Sequence, residues 1–391
     1  MVSITPGKGA CMNIKKIVTA VLLIVPTLYL SYCGSQKEGP GQVIPVKEKT
    51  DTLDIQFTLE SSVPITGISY PSMFFYRNIL HVDGFGSKDT GGPQMVVVHR
   101  FTKNLETLDK KYIPIGQGPG DLGGGPRFSG GGEFIYVSDN TQRRISLFTK
   151  DLEFVKMVTV KWYIFSAEFN DDGTWFLCAM GRSEDTKKGW AFTRDCCLVT
   201  FPGLSIKVFE KHGPYYPIDL TTKKLVVGRQ AGYHFFRRNG SIYYINMDTY
   251  EIGKYDTKGN RLKKIRVQVD RVKVPDSKRL EWLKAQSGSL RLDRKVLIDT
   301  VQPASWMVPL GKGLVVVRRY SYDTECEGMV QGDYFNYDLE MLGKVKIPCF
   351  WFIFQLRRDF HAKSFKYRDG YLYLLRESED DFRLEKWLVK E

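Results

Sequence analysis

The chain is poor in the residues that staple a fold or carry out common catalysis. It has seven cysteines and five histidines in 391 residues. Beyond Cys33 the cysteines are Cys178, Cys196, Cys197, Cys326 and Cys349. An odd number without a C-x-x-C pair excludes a disulfide framework and a zinc ribbon, and leaves small buried hydrophobes or a single bridge that the sequence does not choose. His81, His99, His212 and His361 show no metal-ligand spacing, and neither H-E-x-x-H nor G-x-S-x-G occurs. A Walker-type G-K-[ST] and an RNP-type stacking motif are also missing, which removes the simplest nucleotide and RNA readings. Beyond residue 32 there is no long apolar run and no sustained helical periodicity. What remains is 13% aromatic residues, many β-branched ones and 42% hydrophobic residues. An all-β protein with a full core is expected.

Glycine is concentrated instead of scarce. Residues 113–134, "IPIGQGPGDLGGGPRFSGGGEF", hold nine glycines, and Gly118, Gly120 and Gly123 spell G-x-G-x-x-G. A dinucleotide fingerprint needs a helix to open within it. Pro126 and the run Gly130, Gly131, Gly132 oppose that helix. A tight chain crossing is the expectation, with glycine supplying positive φ.

The N-terminus reads as an address. Met12-Asn-Ile-Lys-Lys is basic, residues 17–30 are apolar, and "LSYCGS" follows. This resembles a bacterial lipoprotein signal, with Leu30 and Cys33 matching the box and Tyr32 departing from its small residue. The resemblance implies cleavage before Cys33 and lipid on it. Residues 1–32 are then a signal peptide, with 1–11 an upstream extension. Residues 33–52 read as a polar tether and 53–391 as the folded part.

The folded part repeats. "FTKNLE" (residues 101–106) recurs as "FTKDLE" (148–153) and "FNYDLE" (335–340), with looser versions from Phe201 and Tyr255. Residues 135–160 align without gaps to 242–267. A period near fifty residues, each copy reading strand, turn, strand, hairpin, strand, points to a β-propeller. The aromatic markers Phe101, Phe148, Phe201, Tyr255, Phe335 and Trp387 give six blades. The last blade lacks its outer strand, and residues 53–61 can supply it, which pairs both exposed edges. Between blades 4 and 5 an insertion of about thirty residues (270–302) is expected to be helical, capped at Asp276 or Ser277. The stretches at residues 116–122 and 135–148 resemble the NHL-like six-bladed propeller lipoproteins of Bacteroides-type bacteria. That resemblance implies a fold and a membrane-anchored place in the cell envelope more than an activity.

Counting from an apolar anchor in each second strand nominates residues around the central funnel. Eight residues before Leu80, Ile135, Phe176, Ile242, Val315 and Leu372 lie Ser72, Arg127, Glu168, His234, Met307 and Ser364. Four residues after them lie Gly84, Asp139, Met180, Asn246, Arg319 and Arg376. The binding candidates are Arg127, Glu168, His234, Asp139, Asn246, Arg319 and Arg376. A ring of mixed charge suits a glycan, an anionic headgroup or a peptide, or a protein partner on the top face. His234 is expected to titrate near neutral pH. The alternative is a hydrolase or lyase in the same funnel, with Glu168 and His234 as acid–base partners and calcium or zinc as its metal. No cofactor is called for by any motif. Arg144 is expected to face solvent.

Loss of residues 1–32, which carry Lys8, Lys15 and Lys16 and no acid, lowers the net charge from +13 to +10. In an exported monomer that balance favours acidic glycans, lipopolysaccharide or anionic lipid over nucleic acid. The anchor has a direct test. Cys33→Ala should abolish fatty-acid labelling and release the protein from the membrane fraction, or leave an unprocessed precursor. A variant labelled and membrane-bound like wild type would overturn the lipoprotein reading.

Overall fold

The computed structural model describes residues 43–88, 92–186, 189–215, 218–219, 224–227, 233–270, 295–297, 304–318, 329–348, 365–377 and 382–391. Over these residues the chain is a six-bladed β-propeller without helices. From the axis outward, blade 1 is Ser69–Tyr76, Ile79–Ser87, Gln94–Thr102 and Thr107–Pro114. Blade 2 is Pro126–Gly131, Phe134–Asp139, Arg144–Phe148 and Phe154–Thr159. Blade 3 is Tyr163–Phe169, Trp175–Thr186, Gly189–Thr200 and Ile206–Tyr215. Blade 4 is Tyr233–Arg238, Ser241–Asn246, Glu251–Asp256 and Arg261–Gln268. Blade 5 is Ala304–Leu310, Gly313–Arg318, Met329–Asn336 and Met341–Pro348. Blade 6 is Phe365–Arg368, Tyr371–Glu377 and Phe382–Lys390, closed by Gln56–Ile65 from the other end of the chain.

The apolar pattern explains the ring. Both faces of each sheet are covered by neighbouring blades, so the second and third strands carry near-continuous apolar runs such as Ile242–Ile245 and Val96–Val98. The buried side chains fall into six clusters, one in each gap between blades. Phe74, Val96 and Val98 of blade 1, for instance, meet Phe128, Ile135 and Phe148 of blade 2. Burying each such side chain contributes about 1.5–3 kcal/mol, so each gap is a small core.

The repeated hexapeptide is the turn from third to fourth strand, and one polar side chain organises it. Thr149 Oγ1 accepts the N–H groups of Asp151 and Glu153, both at 3.2 Å. Thr102, Asp256 and Asn336 do the same in blades 1, 4 and 5. Each turn needs one residue in the left-handed region: Leu105, Leu152, Leu204, Gly259 or Leu339. For leucine that conformation costs about 1–2 kcal/mol. Burial of Leu105, Leu152 and Leu339 in the gap beside the preceding blade offsets it. A side chain from the preceding blade then grips the turn. Arg100 reaches the Lys150 carbonyl at 2.9 Å, Lys207 reaches Asn260 at 2.8 Å, and Lys254 reaches Asp338 at 2.8 Å.

Three expectations shift in detail. In blade 3 the residue equivalent to Phe101 and Phe148 is Val199, which pairs with the anchor Phe176, and Phe201 lies inside a turn that is one residue longer. In blade 5 the anchor is Leu314, which pairs with Phe335 and faces blade 4, while Val315 faces blade 6. The closing strand is Gln56–Ile65, not 53–61. The expected helical insertion lies outside the described residues, except for Lys295–Leu297, a short strand parallel to Lys224–Val227.

The segment expected to be a tether is partly laid on the propeller. Ile44–Lys47 adds a parallel fifth strand to the outer edge of blade 4. Glu48 then pairs with Lys344 at 2.6 Å and Arg318 at 3.1 Å in blade 5. Leu53 N donates to the Lys344 carbonyl at 2.7 Å, after which the chain enters blade 6. Val46, Leu53 and Ile55 pack on the gaps beneath. Ile44 and Val46 stand two apart, the period of a strand, but four residues containing a proline are too short a signal to read.

Truncation separates strap from closure. A chain starting at Val43 should melt like the longer protein. One starting at Asp54 loses the strap and its apolar contacts, and should lose about 3–5 kcal/mol. One starting at Gly67 also loses the closing strand and should no longer unfold cooperatively by calorimetry. Equal midpoints for the last two would argue against closure by Gln56–Ile65.

Candidate functional site

The glycine-rich stretch is a crossing from the outer strand of blade 1 to the inner strand of blade 2, as its composition implied. It folds back on itself: Leu122 N donates to the Pro114 carbonyl at 2.9 Å, and Gly116 N to the Leu122 carbonyl at 3.1 Å. Gly120 has φ +85°, and a Cβ on Gly123 would sit 2.6 Å from Asp139 Oδ1. Asp139 is fully buried and accepts from Gly123 N at 2.6 Å and Gln142 N at 3.1 Å. Arg144 was expected to face solvent, but only 5% of its surface is exposed. Its guanidinium donates to the carbonyls of Gln117, Gly118 and Asp121. Arg144 and Asp139 therefore hold the crossing together and are structural. The place of Arg144 after the second strand suggested exposure, but it opens the third strand, and a blade buries both faces of its strands.

The other second-strand candidates are also engaged internally. Asn246 Oδ1 accepts from Asp248 N at 3.0 Å and Thr249 N at 3.3 Å, closing its own turn. Arg376 pairs with Glu385 at 2.8 Å. Arg319 lies outside the described residues. With Leu314 as anchor, its place in the ring belongs to Arg318, 3.2 Å from Asp333 and 3.1 Å from Glu48. Tyr250 donates to the same Asp333 carboxylate, and burial raises the pKa of both groups. This cluster bolts the strap to blades 4 and 5.

The innermost strands give a different result. Ser72 donates to Asp83 at 2.6 Å and is spent. Arg127 is half-buried on the inner strand of blade 2, and no described residue pairs with its guanidinium. His234 sits at the equivalent level of blade 4. Glu168 does not share that level. The hairpin of blade 3 is longer than those of blades 2 and 4, so counting back eight residues falls short. Glu168 lies next to the hairpin, one residue before Phe169, which pairs with Phe176. The corresponding position in blade 6 is Lys366, one residue before Tyr367, which pairs with Leu372. Lys366 escaped the sequence count, which gave Ser364 two residues away. It becomes legible only when each blade is aligned on its hairpin.

Lys366 acts electrostatically on both channel residues. Burial raises the pKa of Glu168, opposed by Lys366, by Arg237 and by the Arg237 backbone N–H, which donates to the carboxylate. Burial lowers His234 to about 4, assisted by Lys366 and opposed by a hydrogen bond to the Met307 carbonyl. His234 is therefore neutral near pH 7, contrary to the near-neutral titration expected for it. Glu168 and His234 engage different partners. Among the described residues no group of three or more His, Cys, Asp or Glu could hold a metal ion.

The class defined by this geometry is a six-bladed propeller whose innermost strands carry Arg127, Glu168, His234 and Lys366. No protein-family model and no curated protein matches the sequence. Among solved structures the chain is similar to a member of the DUF4221 family from Bacteroides vulgatus. That match has 12% identity and a TM-score of 0.51, and covers 86% of this chain and 99% of the other. A Bacteroides fragilis protein provisionally named as exported shares 12% identity over 90% of this chain and 100% of its own, with a TM-score of 0.46. The acylaminoacyl peptidase of Pyrococcus horikoshii shares 14% over 82% of this chain and 45% of its own, with a TM-score of 0.43. At these identities the first likeness shows the fold alone.

A raised carboxylate pKa favours folding below the ordinary carboxylate range, and that contribution is lost as pH rises through the folded value. Glu168 thus costs stability at neutral pH. Glu168→Gln should raise the thermal midpoint by a few degrees near pH 7, and the gain should vanish below about pH 4. A gain of equal size at both pH values would mean that charge is not the cause.

Proposed function

We propose that the protein is an exported propeller, held to a membrane through lipid on Cys33, that binds an acidic ligand in its central channel. The observation that carries this reading is Arg127. Arg100, Arg144, Arg237, Arg266, Arg318 and Arg376 each have a carboxylate within ion-pair distance. Arg127, on a strand bordering the channel, has none among the described residues. A guanidinium kept without a partner is a ready fork for a carboxylate, phosphate or sulfate. Lys366 adds a second positive charge on the blade 6 strand and a field that reaches Glu168 and His234. Both groups fit an acidic glycan, an anionic headgroup or an acidic peptide.

An array of acidic glycans, phospholipid headgroups and acidic peptides, followed by titration of the best binder, tests this. Arg127→Ala should weaken binding by about 1.5–3 kcal/mol, the range for a charged hydrogen bond, with the fold intact. Lys346→Ala removes an exposed cation on the outer strand of blade 5 and should change affinity by about 0–1 kcal/mol. Equal losses would mean diffuse attraction with no channel site. Absence of any acidic binder would move the reading to a protein partner.

A further inference from the structure

The positive charge is not spread evenly around the ring. Tyr233–Gln268, the four strands of blade 4, holds eight Arg and Lys against three Asp and Glu, whereas residues 163–215 of blade 3 hold six against seven. Part of the blade 4 excess is spent internally. Lys264 pairs with Glu210 and Glu251 at 3.1 and 3.2 Å, Lys254 pairs with Asp338, and Lys263 donates to the Asp338 carbonyl at 2.6 Å. Lys258 and Arg261 are exposed and have no ion pair among the described residues. Between them and the strand interior stands Leu262, 57% exposed, more than any other large apolar side chain in the described residues.

The same rim receives the N-terminal strap. Ile44–Lys47 runs parallel to Arg261–Gln268, with Ile44 opposite Ile265 and Lys47 opposite Gln268. The N-terminal end of the strap therefore lies toward the Arg261 and Leu262 end of the strand. Ile44 is itself 45% exposed, and Lys47 and Lys49 are exposed while Glu48 between them is held inward by Arg318 and Lys344. Nine residues lie between Cys33 and Val43, ten Cα steps in all. Fully extended, they span at most about 35 Å.

We infer that the outer rim of blade 4 is a membrane-docking surface, on which Lys258 and Arg261 meet anionic phospholipid headgroups and Leu262 enters the interface. Unpaired cations suit anionic lipid, and an isolated exposed leucine among them suits the boundary with the acyl region. The reach from Cys33 keeps Val43, and the rim beside it, within about 35 Å of the lipid anchor. The orientation rests on the lipid anchor proposed above, but the affinity of the rim for anionic bilayers does not.

The test uses the mature chain with Cys33→Ser, which carries no lipid, sedimented with vesicles of phosphatidylethanolamine and phosphatidylglycerol or of phosphatidylethanolamine and phosphatidylcholine. Binding should favour the anionic vesicles and fall with added salt. Lys258→Gln and Arg261→Gln should each weaken it about five-fold, the effect of about 1 kcal/mol per surface cation. Leu262→Ser should weaken binding to anionic vesicles without changing the salt dependence. Lys103→Gln with Lys110→Gln, two exposed cations on blade 1, is the control and should change little. Unchanged thermal midpoints would show that the variants are folded. Equal binding to both vesicle types, no binding to either, or equal losses in the control pair would overturn the docking surface. Failure of the anchor is distinguishable, because fatty-acid labelling in cells would then be the same for wild type and Cys33→Ala whatever the vesicles show.

Discussion

The molecule depends on closure of a ring whose sheets are each buried on both faces. A single blade cannot hide its apolar faces from water, and blades 1 to 5 in a row would still leave two faces bare. Gln56–Ile65 solves this by pairing with Phe382–Lys390, so the two ends of the folded chain complete one sheet. Ile65 and Leu384, both fully buried, then join Leu80 and Val82 of blade 1 in the last gap. Closure also explains why the turns are gripped from the preceding blade. Once the ring exists, each of the five turns has a neighbour on the same side, and one short motif serves every gap except that between blades 5 and 6, where the chain termini close the sheet.

Much of the fold was legible because the repeated unit carries its own chemistry. "FTKNLE" and "FTKDLE" specify an acceptor, a left-handed leucine and an outgoing strand. The match of residues 135–160 to 242–267 extends to backbone detail. Val160 N donates to the Arg143 carbonyl and Val267 N to the Tyr250 carbonyl, and Arg143 and Tyr250 both have positive φ. Where the copies degenerate, counting fails by small steps. The longer turn and hairpin of blade 3 misplaced Phe201 and Glu168, and Leu314-Val315-Val316 offers no sequence cue as to which aliphatic faces blade 4.

The site was less legible for a physical reason. Sequence periodicity separates buried from exposed faces, but in a blade the useful distinction is distance from the axis. Asp139, Asn246, Arg318 and Arg376 stand one strand away from the channel and are consumed by loops and neighbouring strands. Arg127 and Lys366 stand on the first strand and have no carboxylate within ion-pair distance among the described residues. A charged residue looks the same in sequence whether a carboxylate waits beside it or not. Arg144 and Arg127, both in blade 2, show how completely the roles can diverge.

The two kinds of cation divide the molecule's electrostatics. Paired ones, such as Arg318 with Asp333 and Glu48, join separate strands and become costly to break once buried, because the remaining charge would be left alone. Unpaired ones contribute little to such joints, so a ligand can occupy them without disturbing a seam. Glu168 extends the argument to an acid. Its carboxylate is held where burial disfavours its charge, with one backbone N–H and the field of Lys366 as partial compensation. A glutamine of the same shape would keep the hydrogen bond and remove the penalty. Under the channel-binding proposal, keeping a carboxyl group there is the stability cost expected of a binding site.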